Sequence, residues 1–328
     1  MRLESVTVVG AGAWGTALAQ AAARAGRSVR LVARDPAVRE AITATGANPR
    51  YLPGIALDPA IGVEPLFVPA DIVILAVPAQ ATRGALGGID PEFLAGRPVV
   101  LTAKGLEHGT LARQSEILAA MAPDALPYVL SGPSFAIDVA SGRPTAVTLA
   151  GDRASETSAL AAALAGPSLR PYAADDRVGV EIAGSLKNVY ALAAGAVEGG
   201  GFGLSARSAL IARGFAEMSR IVTALGGSGS TLTGLAGLGD LTLSCTSTQS
   251  RNYRFGVRLG GGESVAAIEA SGLGLAEGVF TTPVAVELAR EARVDAPLIA
   301  AVEALLDEPS SIADIIAGLM ARPLKREI

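Results

Sequence analysis

Apolar residues fall into two regimes along the 328-residue chain. In the first half they form short runs at 6–9 and 29–33 and continuous, non-alternating runs at 72–77, 99–103, 128–131 and 146–150. Strands buried on both faces read this way, as in parallel sheets covered by helices. Helical spacing fills the intervals, as at 16–25, an Ala-rich stretch ended by Gly26, and at 110–121. From residue 178 the strand runs fade. Helical patterns at 178–197, 205–225, 250–259 and 279–292 replace them, and glycine pairs or triplets close the first two. The pattern predicts an α/β Rossmann-like sheet domain over 1–177, followed by an all-helical C-terminal domain over 178–328. No long linker marks the change near 177, so direct packing of the two domains is expected.

Composition narrows the function classes. Half of the residues are hydrophobic, and only 18% are charged against about 25% in ordinary soluble chains. Membrane insertion has to be tested against that bias. A spanning helix needs about 18 nearly uninterrupted apolar residues. The best run, at 72–77, is strand-sized and stops at Pro78, and the N-terminus enters a strand and a glycine loop without a signal-peptide layout. A cytoplasmic protein without stable membrane insertion is expected. The net charge of −4 is mild, with no basic stripe for a nucleic acid. A single cysteine, Cys245, excludes an internal disulfide. With a single histidine, His108, beside it in the inventory, no metal site is expected. His108 sits next to Gly109 in a turn-like segment, a poor place for a catalytic base.

The run at 6–9 is followed by Gly10-Ala-Gly12-Ala-Trp-Gly15 and then a helix. In that strand–loop–helix setting, Gly10 makes the tight turn and Gly12 lets the backbone approach a pyrophosphate. Gly15 permits close helix–strand packing, and the helix N-terminus faces the anion. The second strand ends at adjacent Arg34 and Asp35. An Asp there accepts from the 2′-hydroxyl of NAD, and an Arg holds the 2′-phosphate of NADP. The expectation is NAD or NADP, with a lean to NADP.

Carbonyl reduction needs a hydride and a proton donor. The 27 basic residues include three lysines, Lys104, Lys187 and Lys325. Lys325 lies in a polar tail and reads as a solvated charge. Lys187 has Ala183, Gly184 and Ala191 as helical neighbours, a face that leaves room for a bound molecule; a surface lysine is the alternative. Lys104 follows the strand run at 99–103, where ligands of open α/β sheets bind. The segment Ser131-Gly-Pro-Ser134 also follows a strand and reads either as an anion nest or as a plain turn. Asp240 stands in an apolar Gly-rich segment, where a carboxylate needs a partner, expected to be Lys187; a helix cap is the alternative. Ser250, Arg251 and Asn252 begin a helix, which suits a phosphate dianion or simply a polar loop.

Six blocks carry a family resemblance. They are Val9-Gly-Ala-Gly-Ala-Trp-Gly-Thr-Ala-Leu-Ala19, Ala103-Lys-Gly-Leu-Glu107, Ser131-Gly-Pro-Ser-Phe-Ala136, Leu186-Lys-Asn-Val189, Gly237-Leu-Gly-Asp-Leu241 and Ser250-Arg-Asn252. In order and spacing the chain resembles bacterial-type NAD(P)-dependent glycerol-3-phosphate dehydrogenases along nearly its whole length. The resemblance implies reversible reduction of dihydroxyacetone phosphate to sn-glycerol 3-phosphate, feeding glycerophospholipid synthesis. It casts Lys187 as proton donor and acceptor, aided by Asp240 and Lys104. It implies substrate contacts at Lys104, Gly132, Ser134, Lys187, Asp240, Ser250, Arg251 and Asn252. Cofactor contacts are implied at Ala13, Trp14, Arg34, Lys104, Ala136, Arg251, Leu275 and Glu277, beside the glycine loop. A homodimer is expected. Ile137-Asp138 departs from the Lys-Glu that similar proteins carry there. The competing readings are a two-domain dehydrogenase of the β-hydroxyacid or 6-phosphogluconate type and a non-catalytic nucleotide sensor.

Overall fold

A computed structural model describes residues 3–274, 276–308 and 312–323. The expected cofactor contact Leu275 and the tail residue Lys325 lie outside the described residues. By internal contacts the chain divides into two compact units, residues 1–184 with 230–240 and residues 185–229 with 241–328. The first unit therefore runs past residue 177, into the helix that begins there, and it regains the short segment ending at Asp240.

The strands of the first unit are β1 (Ser5–Val9), β2 (Ser28–Val32), β3 (Ala47–Asn48), β4 (Leu52–Ala56), β5 (Gly62–Glu64), β6 (Ile72–Leu75), β7 (Pro98–Leu101), β8 (Leu126–Ser131), β9 (Thr145–Gly151) and β10 (Leu169–Ala174). Its helices are α1 (Ala13–Arg24), α2 (Pro36–Thr45), α3 (Thr82–Gly87), α4 (Gln114–Met121), α5 (Ala136–Ala140) and α6 (Ala154–Leu164). The described residues form one sheet in the order β10-β9-β8-β7-β6-β1-β2-β5 and a separate β3-β4 hairpin. The six apolar runs are the buried strands β1, β2, β6, β7, β8 and β9. Their pairing is parallel except between β8 and β9, which is antiparallel. Helices cover both faces, giving two apolar layers: one packs α1 and α6 residues such as Leu18 and Leu160 on the sheet, the other α3 and α4 residues such as Leu86 and Ile117.

Helix α7 (Arg177–Gly199) starts in the first unit. Its Glu181 is buried and accepts from the backbone N and Oγ of Ser115, at 2.9 and 2.6 Å, at the start of α4. Burial pushes the Glu181 carboxyl up, and the Ser115 bonds partly offset the shift.

The second unit contains the rest of α7, then α8 (Gly203–Ala224), α11 (Arg251–Gly260), α12 (Val265–Ala270), α13 (Glu277–Glu291), α14 (Pro297–Asp307) and α15 (Ile312–Met320). The short α9 (Gly229–Leu232) and α10 (Asp240–Thr246) flank the segment returned to the first unit. No strand occurs among the unit's described residues, in agreement with the helical reading. Its buried carboxylate, Glu217 on α8, accepts from Leu298 N and Ile299 N at the start of α14, at 3.0 and 3.1 Å, and from Tyr190 Oη. It thereby serves the orphan N–H groups of a helix start from a distant element. Burial holds its carboxyl above the ordinary range.

Candidate active site

The glycine loop connects β1 to α1. Gly10 has φ of +111°, and a Cβ there would lie 2.7 Å from the Ala76 carbonyl oxygen. A Cβ on Gly15 would sit 1.8 Å from the Gly10 carbonyl oxygen. Only glycine closes this turn. Gly12 meets nothing within 4 Å on its Cβ side, which leaves the approach to the loop open. As N-cap of α1, Gly12 provides no capping side chain, and the first turn, with Ala13 and Trp14, contains no acidic residue. A helix start whose N–H groups lack side-chain acceptors is a fitting seat for a pyrophosphate. The Trp14 Nε1 is buried without a hydrogen-bond partner. Ala136 opens α5 and packs on the same core layer as α1.

Lys104, three residues past β7, lies at the carboxyl end of the sheet. Its Nζ donates to Asp240 Oδ2 at 2.6 Å and to the Gly132 carbonyl at 3.2 Å. Ser134 Oγ donates to the same carbonyl at 3.1 Å. Asp240 follows a π-helical turn, Leu235–Gly239, which lies against the Ser131-Gly-Pro-Ser134 loop: a Cβ on Gly239 would be 3.4 Å from Pro133. The Asp240 side chain is 1% exposed and that of Lys104 17%. A carboxylate so deeply buried requires a cation, and the Lys104 ammonium supplies it. Gly184 on α7 closes this corner, where a Cβ would be 3.0 Å from Ser131 Oγ and 3.7 Å from Lys104 Cγ.

The loop that bears Lys104 is fixed from α3 and the turn before it. Gln80 donates to the Leu106 carbonyl at 2.8 Å and accepts from His108 N at 3.0 Å. Arg83 grips Glu107 bidentately, at 2.8 Å to each oxygen. The bonds from Arg83 and then Thr110 lower the Glu107 carboxyl to about 2. His108 itself is exposed.

In the second unit, Lys187 is buried and donates to Ser244 Oγ at 2.9 Å. Ser250 is the N-cap of α11 and accepts from Tyr253 N at 3.3 Å, with Arg251 exposed beside it. Asn252 links three helices: its Nδ2 donates to Asn188 Oδ1 at 2.9 Å, and its Oδ1 accepts from Gly278 N at 2.8 Å. One N–H of its amide is left for a ligand. Asn188 donates to Glu277 Oε2 at 3.4 Å. Ser244 and Asn188 were not singled out from the sequence. The available signals were that Ser244 falls one helical turn after Asp240 and that Asn188 follows Lys187 directly.

A phosphate-cradling loop on a parallel sheet, with a buried Lys–Asp pair at the strand ends, defines a Rossmann-type dinucleotide-binding protein. The family model described as NAD-dependent glycerol-3-phosphate dehydrogenase N-terminus matches residues 5–157, and its C-terminus counterpart matches 176–317. A glycerol-3-phosphate dehydrogenase [NAD(P)+] of Methylobacterium radiotolerans is 51% identical over 326 residues, 98% of each chain. Another, of Caulobacter vibrioides, is 47% identical over the full length of both. The crystal structure of glycerol-3-phosphate dehydrogenase from Coxiella burnetii superposes with a TM-score of 0.89 at 35% identity, covering 97% of this chain and 99% of that one. The chain belongs to the NAD-dependent glycerol-3-phosphate dehydrogenase family.

Proposed function

We propose that the chain reversibly reduces dihydroxyacetone phosphate to sn-glycerol 3-phosphate with NAD(P)H, supplying the backbone of glycerophospholipids. The nicotinamide cofactor, when bound, supplies or accepts the hydride. The chain's own residues do the rest. Gly10, Gly12 and Gly15, with the N–H groups of Ala13 and Trp14, seat the pyrophosphate. The start of α11, with Ser250, Arg251 and one N–H of Asn252, takes the substrate phosphate. Lys104, anchored by Asp240, places its positive charge beside the carbonyl oxygen and stabilises the charge that develops there, with Gly132 and Ser134 bordering that position. Lys187 gives its proton to the developing alkoxide and recovers it in the reverse direction, oriented by Ser244.

The observation that carries this reading is the 2.6 Å Lys104–Asp240 ion pair at the strand ends, built from two motifs of a family whose members are named for this reaction. A structural ion pair needs no sheet terminus and no open glycine loop nearby. The test is NADPH and NADH oxidation with dihydroxyacetone phosphate, alongside 6-phosphogluconate and 3-hydroxy acids in the reverse direction. Turnover should be confined to the triose phosphate pair. Lys187→Ala should lower kcat by about 10²–10⁴-fold, the usual loss for a general acid. Near wild-type kcat in that variant removes Lys187 from the role. We further propose a cytoplasmic homodimer, to be checked by light scattering of the purified chain. No described helix is long and apolar enough to cross a membrane.

A further inference from the structure

The turn from β2 into α2 carries Arg34, Asp35 and Arg39, and Arg50 reaches the Asp35 carboxylate from the β3–β4 hairpin. Asp35 is the N-cap of α2: its Oδ1 accepts from Ala37 N at 2.9 Å, and its Oδ2 accepts from Arg50 Nη1 at 2.6 Å. Both oxygens are engaged. The Arg50 guanidinium also lies over the Tyr51 ring, 5.2 Å from its centroid. Arg39 Nη1 donates to the carbonyls of Ala33 and Arg34, at 2.7 and 2.9 Å, so it fixes the backbone of the turn. The Arg34 side chain is exposed and has no ion pair among the described residues.

A free 2′-hydroxyl is held by a carboxylate turned toward the ribose and a 2′-phosphate by cations, whereas Asp35 is turned to the α2 start and to Arg50. We infer that Arg50 is a specificity-determining residue that joins Arg34 in gripping the 2′-phosphate of NADP(H), and that Asp35 positions Arg50 instead of accepting from a ribose. This rests on the reading of the chain as an NAD(P)H-dependent reductase. Exposure of the Asp35–Arg50 pair makes the step feasible. At 42% and 61% side-chain exposure, such a pair has little net strength. Its guanidinium turns at small cost toward a dianion that offers bidentate, charge-assisted bonds.

The test pairs kinetics with ligand binding on the full chain. Arg50→Ala should raise KM for NADPH about tenfold or more, the scale of a lost bond to a charged group, and change KM for NADH less than about twofold. Calorimetry should show the same variant losing about tenfold in affinity for adenosine 2′,5′-bisphosphate with AMP unaffected. Asp35→Asn keeps a capping side chain but loosens the hold on Arg50, so it should raise KM for NADPH by a larger factor than KM for NADH. An unchanged NADPH-to-NADH ratio in Arg50→Ala, or a tenfold loss of NADH turnover in Asp35→Asn, overturns the inference. If the wild-type chain oxidises neither nucleotide with dihydroxyacetone phosphate, the reductase reading fails. The two calorimetric affinities then still decide the role of Arg50.

Discussion

At the scale of single residues, charge is placed where another group pins it, and Glu107 shows the consequence for pH. Its carboxyl is lowered to about 2 by the Arg83 fork and by Thr110, against about 4.3 for a free glutamate. A depressed carboxylate stabilises the fold above its unfolded value, and that contribution is lost as pH falls through about 4 to about 2. Arg83→Ala should return the Glu107 titration midpoint toward 4.3 in a carbon-detected NMR titration. It should also raise the Michaelis constant for dihydroxyacetone phosphate, because the loop that aims Lys104 loses its clamp. A midpoint that stays near 2 in the variant would assign the shift to something other than Arg83. These partnerships explain what could be read without a structure. Lys104 and Asp240 stood out one at a time, as an amine after a strand and a carboxylate in an apolar setting. Their mutual bond joins positions 136 apart in sequence, and no local spacing encodes it. Ser244, Arg83 and Arg50 are ordinary polar residues until the fold supplies their neighbours.

At the scale of elements, the helices of the second unit approach one another through glycine. On α7, a Cβ at Gly195 would fall 2.1 Å from the Tyr253 carbonyl oxygen, and one at Gly199 would fall 1.9 Å from that of Val257. On α11, Gly256 and Gly260 face the Leu192 and Ala196 carbonyl oxygens at 2.1 Å each. Two small-xxx-small pairs thus interlock backbone on backbone, and they fix the start of α11 relative to the turn of α7 that bears Lys187. Gly256→Ala should force the helices apart and cost about 1–3 kcal/mol or more, as overpacking does. It should raise the Michaelis constant for the phosphate-bearing substrate while leaving NADPH affinity unchanged. Urea unfolding with parallel kinetics checks both, and a variant as stable as wild type would mean that the crossing is loose. Elements were legible where burial imposes a pattern. The central strands, apolar on both faces, announced themselves. The edge strand β10, Leu-Arg-Pro-Tyr-Ala-Ala, did not, because an edge tolerates Pro171 and half of its side chains meet water. The antiparallel direction of β9 was also hidden, since an apolar run reads the same either way along the sheet.

At the scale of the whole molecule, the two units carry different parts of the chemistry. The first holds the glycine loop, the β2–α2 turn with its arginines, and the Lys104–Asp240 pair; the second holds Lys187, Ser244 and the α11 start. Each ligand should therefore leave its larger mark on one unit when it binds alone. A ligand that binds only the folded state stabilises it by about 2.7 kcal/mol at 100 times its dissociation constant, and amides that open locally feel that protection first. Hydrogen exchange followed by mass spectrometry should show NADPH slowing amides over 10–16 and 34–37, and glycerol 3-phosphate slowing those over 251–254. The two sets should slow together, with a gain at 104–106, only when both ligands are present, because the Lys104 ammonium then has a substrate oxygen to hold. Protection of 251–254 by NADPH alone, equal to that given by glycerol 3-phosphate, would contradict this partition and place cofactor and substrate phosphates at one and the same helix start.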